Sequence, residues 1–530
     1  MLGWRSMREM TRPEGRGVQR VPRKLRADVL LVYPIWVSEG GRGRLQRMLP
    51  PLGILSIASF LELQGYEVHV VDLHAEQLRP EQFREVLRTL KPRFVGVTVL
   101  SSHFVPAHYV AAMCKEEVSD CKVFCGGVHA ESCPEEMLRN HAFDAVGRGD
   151  GEELMLELLQ DRPYPDIAGL SYRGPDGRVV HNVPRPVEMD LDRYPFPAYH
   201  LIDMNHYFPP VGTYRDLPVI NLLMTRGCPG QCTFCNSAKT TLRGRSVAKM
   251  IELVKLLRYD YGIRQFSFYD DTFTASPRAV REFCQRMIDE EIDASFVCYA
   301  RGDMFSESMA ALLARAGCHQ VLLGIESGSA DLMAKIGKPI DKQKYRDVVR
   351  IAHAHGIEVR AGFIIGHYEE TLETLREMLE FAIDLDVDFF QPSIMTPYPG
   401  TQLYAEAKAK GLLLHENYEL YGQGEVVLKM KYLKPEDITD FYRSSFVRFY
   451  LRPRAVWQQV KRLRNWHHVR DLLKTSYAVF IEGLSQAQAG DLRGWLDFDV
   501  ERVADKSIPL PEKPRLTFAV RQRDDCSSSS

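Results

Sequence analysis

Long uninterrupted apolar runs are missing from this sequence. Its most apolar stretches, at 92–101 and 319–325, are as long as strands and much shorter than the roughly 18 residues of a membrane-spanning helix. The basic segment 1–26 lacks the apolar core of a secretory signal. We therefore expect a soluble cytoplasmic protein without a membrane span, in which residues 1–26 form a disordered arm or, alternatively, an organelle-targeting segment.

A strong net charge and a paired cysteine pattern are also absent. The formal charge is -2 over 530 residues, which gives no general attraction to nucleic acid or to an anionic membrane. The 11 cysteines are odd in number, and most of them lie in apolar or helical surroundings, unlike a secreted disulfide framework. We therefore expect a reducing compartment, in which a conspicuous cysteine cluster binds a metal.

Strand-like and helix-like segments alternate in the first third of the chain. Predicted strands at 27–34, 67–73 and 94–102 are separated by predicted helices, which indicates a doubly wound, Rossmann-like parallel sheet over residues 27–160. The segment 161–215 is rich in Pro and Tyr and includes a hairpin-like PDG turn, which predicts a linker or small subdomain.

A second alternating series begins near residue 219. Six predicted strands and the helices between them indicate an α/β unit at 216–415, a partial or complete (βα)6 barrel of TIM type. Residues 416–515 have a helical pattern without evident chemistry, and the polar tail 516–530 is predicted to be disordered.

Three cysteines lie close together after the first predicted barrel strand. Cys228, Cys232 and Cys235 are spaced by four and three residues on a loop, at the end of a barrel where active sites lie. Three thiolates bind three irons of a 4Fe-4S cubane and leave the fourth iron open to a small molecule. The alternatives are a structural zinc site that lacks its fourth ligand, or three unrelated thiols.

The C-x3-C-x2-C pattern of this loop resembles that of the radical S-adenosylmethionine superfamily. The resemblance implies that the amino and carboxylate groups of S-adenosylmethionine chelate the open iron, and that an electron from the cluster cleaves the sulfonium to a 5'-deoxyadenosyl radical. It also implies a low-potential electron donor such as reduced flavodoxin or ferredoxin.

Two acidic residues and one arginine follow the second and third predicted barrel strands. In FYDDTF, the resemblance implies that Asp270 and Asp271 lie near the amino group of S-adenosylmethionine, with a helix N-cap as the alternative. Arg301 is a candidate partner for the cofactor carboxylate, and a salt bridge to Asp303 is the alternative.

The fourth and fifth predicted barrel strands end in segments that resemble further cofactor-contacting parts of this superfamily. GIESGS implies that Glu326 and Ser327 contact the ribose and carboxylate, and GFIIGHYEET implies that Gly366 lies on the adenine side. His367 and Tyr368 stand where the family often has Leu-Pro, so the chain departs from the common pattern there. The segment MTPYPGTQLY also matches a stretch near the last strand of these barrels.

The N-terminal sheet has Gly- and Ser-containing loops at the carboxyl ends of its predicted strands, where such folds bind ligands. The segments PPLGIL, GGVHA and GRGDGEE resemble the cobalamin-binding domain that precedes the barrel in one radical S-adenosylmethionine subfamily. The resemblance makes five residues candidate cofactor contacts: Ser101, Ser102, Gly126, Gly127 and Gly149.

Three histidines and a second set of cysteines in this domain are further possible ligands. Asp72-Leu73-His74 resembles part of a cobalt-ligating D-x-H-x-x-G loop, but it follows the second strand and lacks the Gly, so we interpret His74 as a surface or strand-end residue. His103 and His129 are weaker candidates for contacts to the corrin or its tail. A second set of cysteines shares no loop, and we interpret it as core or edge thiols: Cys121, Cys125 and Cys133.

Taken together, these resemblances predict a cobalamin-dependent radical methyltransferase that acts on an unactivated carbon, or on phosphorus, of a small or natural-product substrate. A radical oxidative cyclase or rearrangement enzyme of the same architecture is the first alternative. A non-catalytic cobalamin-sensing module is the second alternative, and the intact cysteine triplet disfavours it. A methylthiotransferase acting on RNA is disfavoured because its extra N-terminal cysteines and basic tail are not evident, so we expect no nucleic-acid partner.

Overall fold

The computed structural model describes residues 27–35, 49–210, 212–338, 341–422, 424–462 and 469. The predicted basic arm, the predicted tail and most of the segment after 462 lie outside these residues. In this part of the chain, no helix combines the length and the apolar composition needed to cross a membrane.

The N-terminal domain is built on a seven-stranded sheet with the order β2-β1-β3-β4-β5-β6-β7. The strands are β1 (Val29–Tyr33), β2 (Val68–Asp72), β3 (Phe94–Thr98), β4 (Lys122–Gly126), β5 (Ala145–Gly147), β6 (Leu170–Arg173) and β7 (Val179–His181). Strands β1 to β5 are parallel, as predicted. Strand β3 is shorter than predicted, because residues 101–103 form a 3-10 turn.

Helices cover both faces of this sheet. They are α1 (Leu52–Leu63), α2 (Pro80–Leu90), α3 (Phe104–Glu117), α4 (Val128–Ser132), α5 (Pro134–Leu138) and α6 (Gly151–Leu159). Because side chains alternate along a strand, Val29 and Leu31 join the core with α1 and α6, whereas Leu30 and Val32 join the core with α2 and α3. This two-sided burial explains the continuous apolar run VLLV in β1.

The hairpin predicted around the PDG turn extends the first sheet. Strand β6 pairs antiparallel with β5, and β7 pairs with β6. Residues 170–181 therefore belong to the N-terminal sheet, whereas the sequence placed them in a linker or separate subdomain. Local periodicity predicted the hairpin, but it contained no information about which strand the hairpin joins.

The second domain is an open, partial barrel of six parallel strands in the order β15-β14-β13-β12-β11-β8. These are β8 (Val219–Leu222), β11 (Gln265–Phe268), β12 (Ser295–Ala300), β13 (Cys318–Glu326), β14 (Glu358–Ile365) and β15 (Phe389–Ile394), and a short antiparallel ribbon is formed by β9 (Thr225–Arg226) and β10 (Arg243–Gly244). Strand order follows chain order throughout, which confirms the predicted βα series.

Helices lie between these strands and after the last one. They are α7 (Val247–Lys255), α8 (Pro277–Asp289), α9 (Glu307–Arg315), α10 (Ala330–Lys335), α11 (Lys342–Ala354), α12 (Leu372–Asp384), α13 (Gln402–Ala409), α14 (Pro435–Tyr450) and α15 (Pro453–Lys461). Helix α14 packs along the edge strand β15, and the Tyr450 hydroxyl bonds to the backbone N and O of Phe390 at 3.0 and 3.1 Å. The helix thereby protects one edge of the open barrel.

Candidate functional site

The three cysteines lie on the loop that connects β9 to β10. The loop is closed across its base, because the Thr240 backbone N donates to the Cys228 carbonyl at 3.1 Å and the Thr240 hydroxyl accepts from the Cys228 N at 2.9 Å. Gly227 has a φ of +91°, and a Cβ there would lie 2.3 Å from the Thr241 carbonyl oxygen. Only glycine fits this position without rearrangement of the loop.

Segments from the far side of the barrel also hold this loop. The Thr233 N donates to the Ile336 carbonyl at 3.0 Å, and the Asn236 amide donates to the Pro399 carbonyl at 2.9 Å. Pro399 belongs to the MTPYPGTQLY segment, so that segment supports the cysteine loop.

All three cysteines are free and partly exposed. Burial raises the pKa of the Cys232 and Cys235 thiols. The Gly230 N points at the Cys228 Sγ at 3.4 Å, and the Thr272 hydroxyl lies 3.5 Å from the same sulfur. Three accessible thiols on one loop, with one backbone N–H directed at a sulfur, fit a cluster that takes three protein ligands.

Asp270 and Asp271 accept hydrogen bonds from the cysteine loop and from the residues that precede it. Asp270 is fully buried, and its carboxylate accepts from the Met224 N at 3.1 Å and from the N and hydroxyl of Thr225 at 2.5 and 2.6 Å. Asp271 accepts from the Gly227 N at 3.1 Å and the Ser237 hydroxyl at 2.7 Å. Asp270 therefore has no surface for contact with S-adenosylmethionine in this structure, because its oxygens are used inside the fold.

Arg301 faces the cysteine loop and is paired at the same time. Its guanidinium binds the Asp303 carboxylate through two hydrogen bonds of 3.0 and 2.9 Å, which is the alternative weighed from the sequence. Its Nη1 lies 2.9 Å from the position that a Cβ on Gly230 would take. The absence of a side chain at Gly230 lets the guanidinium approach the loop.

Glu326 ends β13 in an unusual conformation beside the cysteine loop. Its φ of +69° is rare for a residue with a side chain and costs on the order of 1–3 kcal/mol. Its carboxylate accepts from the Lys338 ammonium at 2.6 Å, and the same ammonium donates to the Gly324 carbonyl at 2.7 Å. Gly337, next to Lys338, packs against the Gln231 carbonyl, so this ion pair adjoins the loop.

Ser327 and Gly366, the other barrel residues predicted to contact S-adenosylmethionine, each take part in a hydrogen bond between a backbone N–H and a side-chain oxygen. Ser327 is buried, and its hydroxyl accepts from the Ser329 N at 3.2 Å. Gly366 has a φ of +85°, and its N donates to the buried Glu370 carboxylate at 3.1 Å. Burial raises the pKa of Glu370 to about 7. His367 is also buried rather than facing solvent, and burial lowers its pKa to about 4.

The N-terminal sheet has a cavity of about 260 Å³ at the carboxyl ends of β3, β4 and β5. Two of the lining positions require glycine. A Cβ on Gly96 would lie 2.8 Å from the Leu31 side chain, and a Cβ on Gly151 would lie 2.6 Å from the Ile57 side chain, so a larger residue at either position would collide with the cavity wall. The predicted residues Gly126, Gly127 and Gly149 line this cavity, together with apolar side chains of α1 and α6.

The other N-terminal candidates lie outside the lining of this cavity. Ser101 and Ser102 are buried, and the Ser101 hydroxyl lies 3.1 Å from the His129 Nδ1. His74 is a strand-end residue, but it is buried and not on the surface. His103 is fully buried against Tyr33 and burial lowers its pKa to about 3, so it is neutral at physiological pH.

Comparison with known proteins agrees with both halves of this arrangement. Residues 222–382 match the model of the Radical SAM superfamily, and residues 42–159 match that of the B12 binding domain. The chain is 34% identical to the uncharacterized methyltransferase PH0819 of Pyrococcus horikoshii, over 81% of this chain and 94% of that protein. This protein is a cobalamin-binding radical S-adenosylmethionine enzyme.

Other members of the family differ in reaction. The present chain is 27% identical to the anaerobic magnesium-protoporphyrin IX monomethyl ester cyclase of Rubrivivax gelatinosus, over 80% of this chain and 77% of that protein. Its fold matches that of the cobalamin-dependent S-adenosylmethionine radical enzyme OxsB with a TM-score of 0.66, 17% identity, and coverage of 87% and 74% of the two chains.

The cofactors of the family are a 4Fe-4S cluster, S-adenosylmethionine and cobalamin. The cysteine loop offers three thiolates for the cluster, and the glycine-lined cavity of the N-terminal sheet is a candidate place for part of the cobalamin.

Sequence reasoning missed the residue that joins the two sites. Arg226 donates to the Glu152 carboxylate at 2.7 Å, the Ser56 hydroxyl at 3.2 Å and the Asp150 carboxylate at 3.2 Å. Arg226 and both acids line the cobalamin-side cavity, and Arg226 lies two positions before Cys228. The acids were visible in GRGDGEE and the arginine in TRGC, but no local pattern connects positions 74 residues apart.

Proposed function

We propose that this radical enzyme transfers a methyl group to an unactivated carbon, or to phosphorus, of a small molecule. The observation that carries the proposal is the contact between the two cofactor sites, since Arg226 begins the cysteine loop and also lines the N-terminal cavity. The Pyrococcus relative is named a methyltransferase, which supports the same reaction class.

The proposed residue roles follow from the geometry. Cys228, Cys232 and Cys235 ligate three irons and leave the fourth open. Glu326, fixed by Lys338, and the guanidinium of Arg301 contact S-adenosylmethionine, because both lie beside the cysteine loop. We also propose contacts from the backbone at Ser327 and Gly366 to S-adenosylmethionine, and from Gly126, Gly127 and Gly149 to cobalamin.

Asp270 and Asp271 have a different proposed role, which is to hold the cysteine loop. Neither needs to touch S-adenosylmethionine for this role, since their oxygens accept from the loop and from the residues that precede it.

The substrate is proposed to bind inside the barrel. Phe266 and Phe268 of β11 are buried in the core, so the alternate residues Ser267 and Tyr269 face the other side of the strand, toward the barrel interior. Tyr269 pairs edge-to-face with Tyr299 of β12 at 5.8 Å. This aromatic pair gives the interior a surface for a ring-containing or apolar substrate and keeps water from part of the wall.

When bound, the cofactors supply hydrogen abstraction and a methyl donor, and the chain supplies position. Lys338 holds the Glu326 carboxylate in one orientation, and the Gly227 turn fixes the start of the cysteine loop.

We further propose reduced flavodoxin or ferredoxin as electron donor, a cytoplasmic location, and no nucleic-acid partner. The near-zero formal charge and the cluster's requirement for a low-potential electron support these assignments.

The test is anaerobic reconstitution with iron, sulfide and hydroxocobalamin, followed by reaction with methyl-deuterated S-adenosylmethionine and a metabolite extract under a strong reductant. The products are analysed by mass spectrometry. We expect 5'-deoxyadenosine, S-adenosylhomocysteine and a deuterated small molecule. The Cys228→Ala variant is expected to lose 5'-deoxyadenosine, and Cys284→Ala, a buried thiol of α8, serves as the matched control.

The cyclase relative makes ring formation the second candidate function. A product that lacks two hydrogens and contains no deuterium would support this candidate over methyl transfer. Absence of 5'-deoxyadenosine in a protein that holds its cluster would contradict both.

A further inference from the structure

A second group of metal-binding side chains lies outside both cofactor sites. One ligand atom from each of His129, Cys133 and Glu136 lies within 4.8 Å of the others. His129 is in α4, Cys133 joins α4 to α5, and Glu136 is in α5. From the sequence alone, Cys133 is interpreted as a core or edge thiol.

The backbone explains why these three residues meet. The Cys133 N donates to the His129 carbonyl at 2.9 Å, and the Met137 N donates to the Cys133 carbonyl at 3.1 Å, so α4 ends and α5 begins at Cys133, whose φ of -133° and ψ of 53° are not helical. His129 lies about one helical turn before this junction and Glu136 about one turn after it. The spacing H-x3-C-x2-E therefore presents nitrogen, sulfur and oxygen donors to one point.

The His129 ring is prepared for a ligand. Its Nδ1 lies 3.1 Å from the Ser101 hydroxyl, whereas its Nε2 is buried and meets no hydrogen-bond partner among the described residues. The ring is 1% exposed and is held edge-on by Phe104 and Tyr418. A buried nitrogen without a partner costs about 1–3 kcal/mol. A bond from Nδ1 that fixes the ring while Nε2 remains open is the usual arrangement of a metal-binding histidine.

Tyr418 closes the group from the second domain. Its hydroxyl donates to the Glu136 carboxylate at 3.1 Å and lies 3.3 Å from the Tyr404 hydroxyl. A hydrogen-bonded group centred on this hydroxyl is the alternative explanation for the convergence of Cys133 and Glu136, but it leaves the His129 Nε2 without a partner.

We propose that His129 Nε2, Cys133 Sγ and the Glu136 carboxylate bind a Zn²⁺ ion. Zinc takes histidine, thiolate and carboxylate ligands in four-coordinate geometry, and a water or the Tyr418 hydroxyl completes the set. Binding releases the thiol proton of Cys133 to solvent, and the thiolate and carboxylate then balance the two positive charges. Cys133 and Glu136 are only partly buried, which leaves a path for the ion. The site does not depend on the proposed methyl transfer.

The test is elemental analysis of the full-length protein after incubation with one equivalent of Zn²⁺ and gel filtration. Iron and cobalt are measured in the same samples, so zinc is distinguished from the cofactor metals. Zinc in the cluster site is excluded with a variant in which Cys228, Cys232 and Cys235 are all alanine. We expect about one zinc per chain in both proteins.

Two variants and a matched control decide between a metal and a hydrogen-bonded group. Cys133→Ala is expected to lose the zinc, whereas Cys114→Ala, which removes a buried thiol of α3, is expected to keep it. Glu136→Gln keeps an acceptor for Tyr418 but loses the charge, so its zinc affinity against a chelator is expected to fall at least tenfold. This variant also serves if Cys133→Ala does not fold. Absence of zinc from the unaltered chain, or its full retention in Glu136→Gln, would overturn the proposal.

Discussion

Removal of the Arg226 side chain is the perturbation that most directly tests the junction between the two domains. The Arg226 side chain is 23% exposed and that of Glu152 is 3% exposed, so the ion pair is largely shielded from water. In Arg226→Ala, the Glu152 carboxylate remains buried with the Ser56 hydroxyl, at 2.7 Å, as its remaining side-chain donor. Loss of one partner of a buried pair costs about 3–5 kcal/mol.

The pH dependence gives a second readout of the same pair. Burial raises the pKa of Glu152, but the charge and hydrogen bond of Arg226 outweigh burial and hold the pKa below its usual value. In the unaltered protein this pair therefore stabilises the fold above the usual carboxyl pKa, and the contribution is lost as the pH falls. In Arg226→Ala the Ser56 hydroxyl still donates to the carboxylate, but the positive charge of Arg226 is gone, so the carboxyl takes up a proton more easily. The loss of stability is therefore expected to be smaller at pH 5 than at pH 7.5.

The assay is denaturant unfolding of the cofactor-free chain at both pH values, with Arg226→Ala alone and combined with Glu152→Gln. We expect Glu152→Gln to restore most of the lost stability, because it removes the uncompensated charge. Arg178→Ala is the control, since its side chain is 88% exposed and its ion pair contributes about 0–1 kcal/mol. A loss in Arg226→Ala no larger than that of the control, or no recovery with Glu152→Gln, would refute the reasoning.

Three further substitutions address single contacts. Gly227→Ala is expected to reduce the iron content of the reconstituted protein, because the new methyl group would meet the Thr241 carbonyl at 2.3 Å. Gly151→Val is expected to abolish cobalamin binding, measured by gel filtration and absorbance, because its side chain meets Ile57 and fills the cavity. Burial raises the pKa of Asp270 to about 6, so its charged form opposes folding increasingly as the pH rises through that value. Asp270→Asn is expected to remove this part of the pH dependence of unfolding between pH 4 and 7.

Matched controls exist for the two glycine substitutions. A Cβ on Gly262 or Gly177 would meet nothing within 4 Å, although both residues have a positive φ. Alanine at either position is expected to cost about 1 kcal/mol and to leave both cofactors bound. An iron content in Gly227→Ala equal to that of Gly262→Ala would contradict the assigned role of the loop turn. Retained cobalamin in Gly151→Val would show that the ligand uses another part of the domain, and an unchanged pH profile in Asp270→Asn would contradict the titration of that carboxyl.

Most of the secondary structure could be predicted, because its signals are local. Alternation of apolar strands with amphipathic helices predicted both βα series, and the parallel strands β1 to β5 of the first sheet and the six parallel strands of the second confirm it. The short helices α4 and α5 were not predicted, since five residues are too few to show a helical period. The role of Asp270 could not be predicted either, because its partners Met224 and Thr225 lie 46 and 45 residues away.

The sequence by itself determined the two α/β units and the loop with three closely spaced thiols, since each depends on residues within a few positions of one another. Only the tertiary structure decided that the hairpin at 170–181 joins the first sheet, that Arg226 reaches Glu152, and that Tyr418 covers His129. These contacts join distant parts of the chain and arise from the packing of whole elements. The conformational preferences of short segments do not specify how distant elements pack against one another.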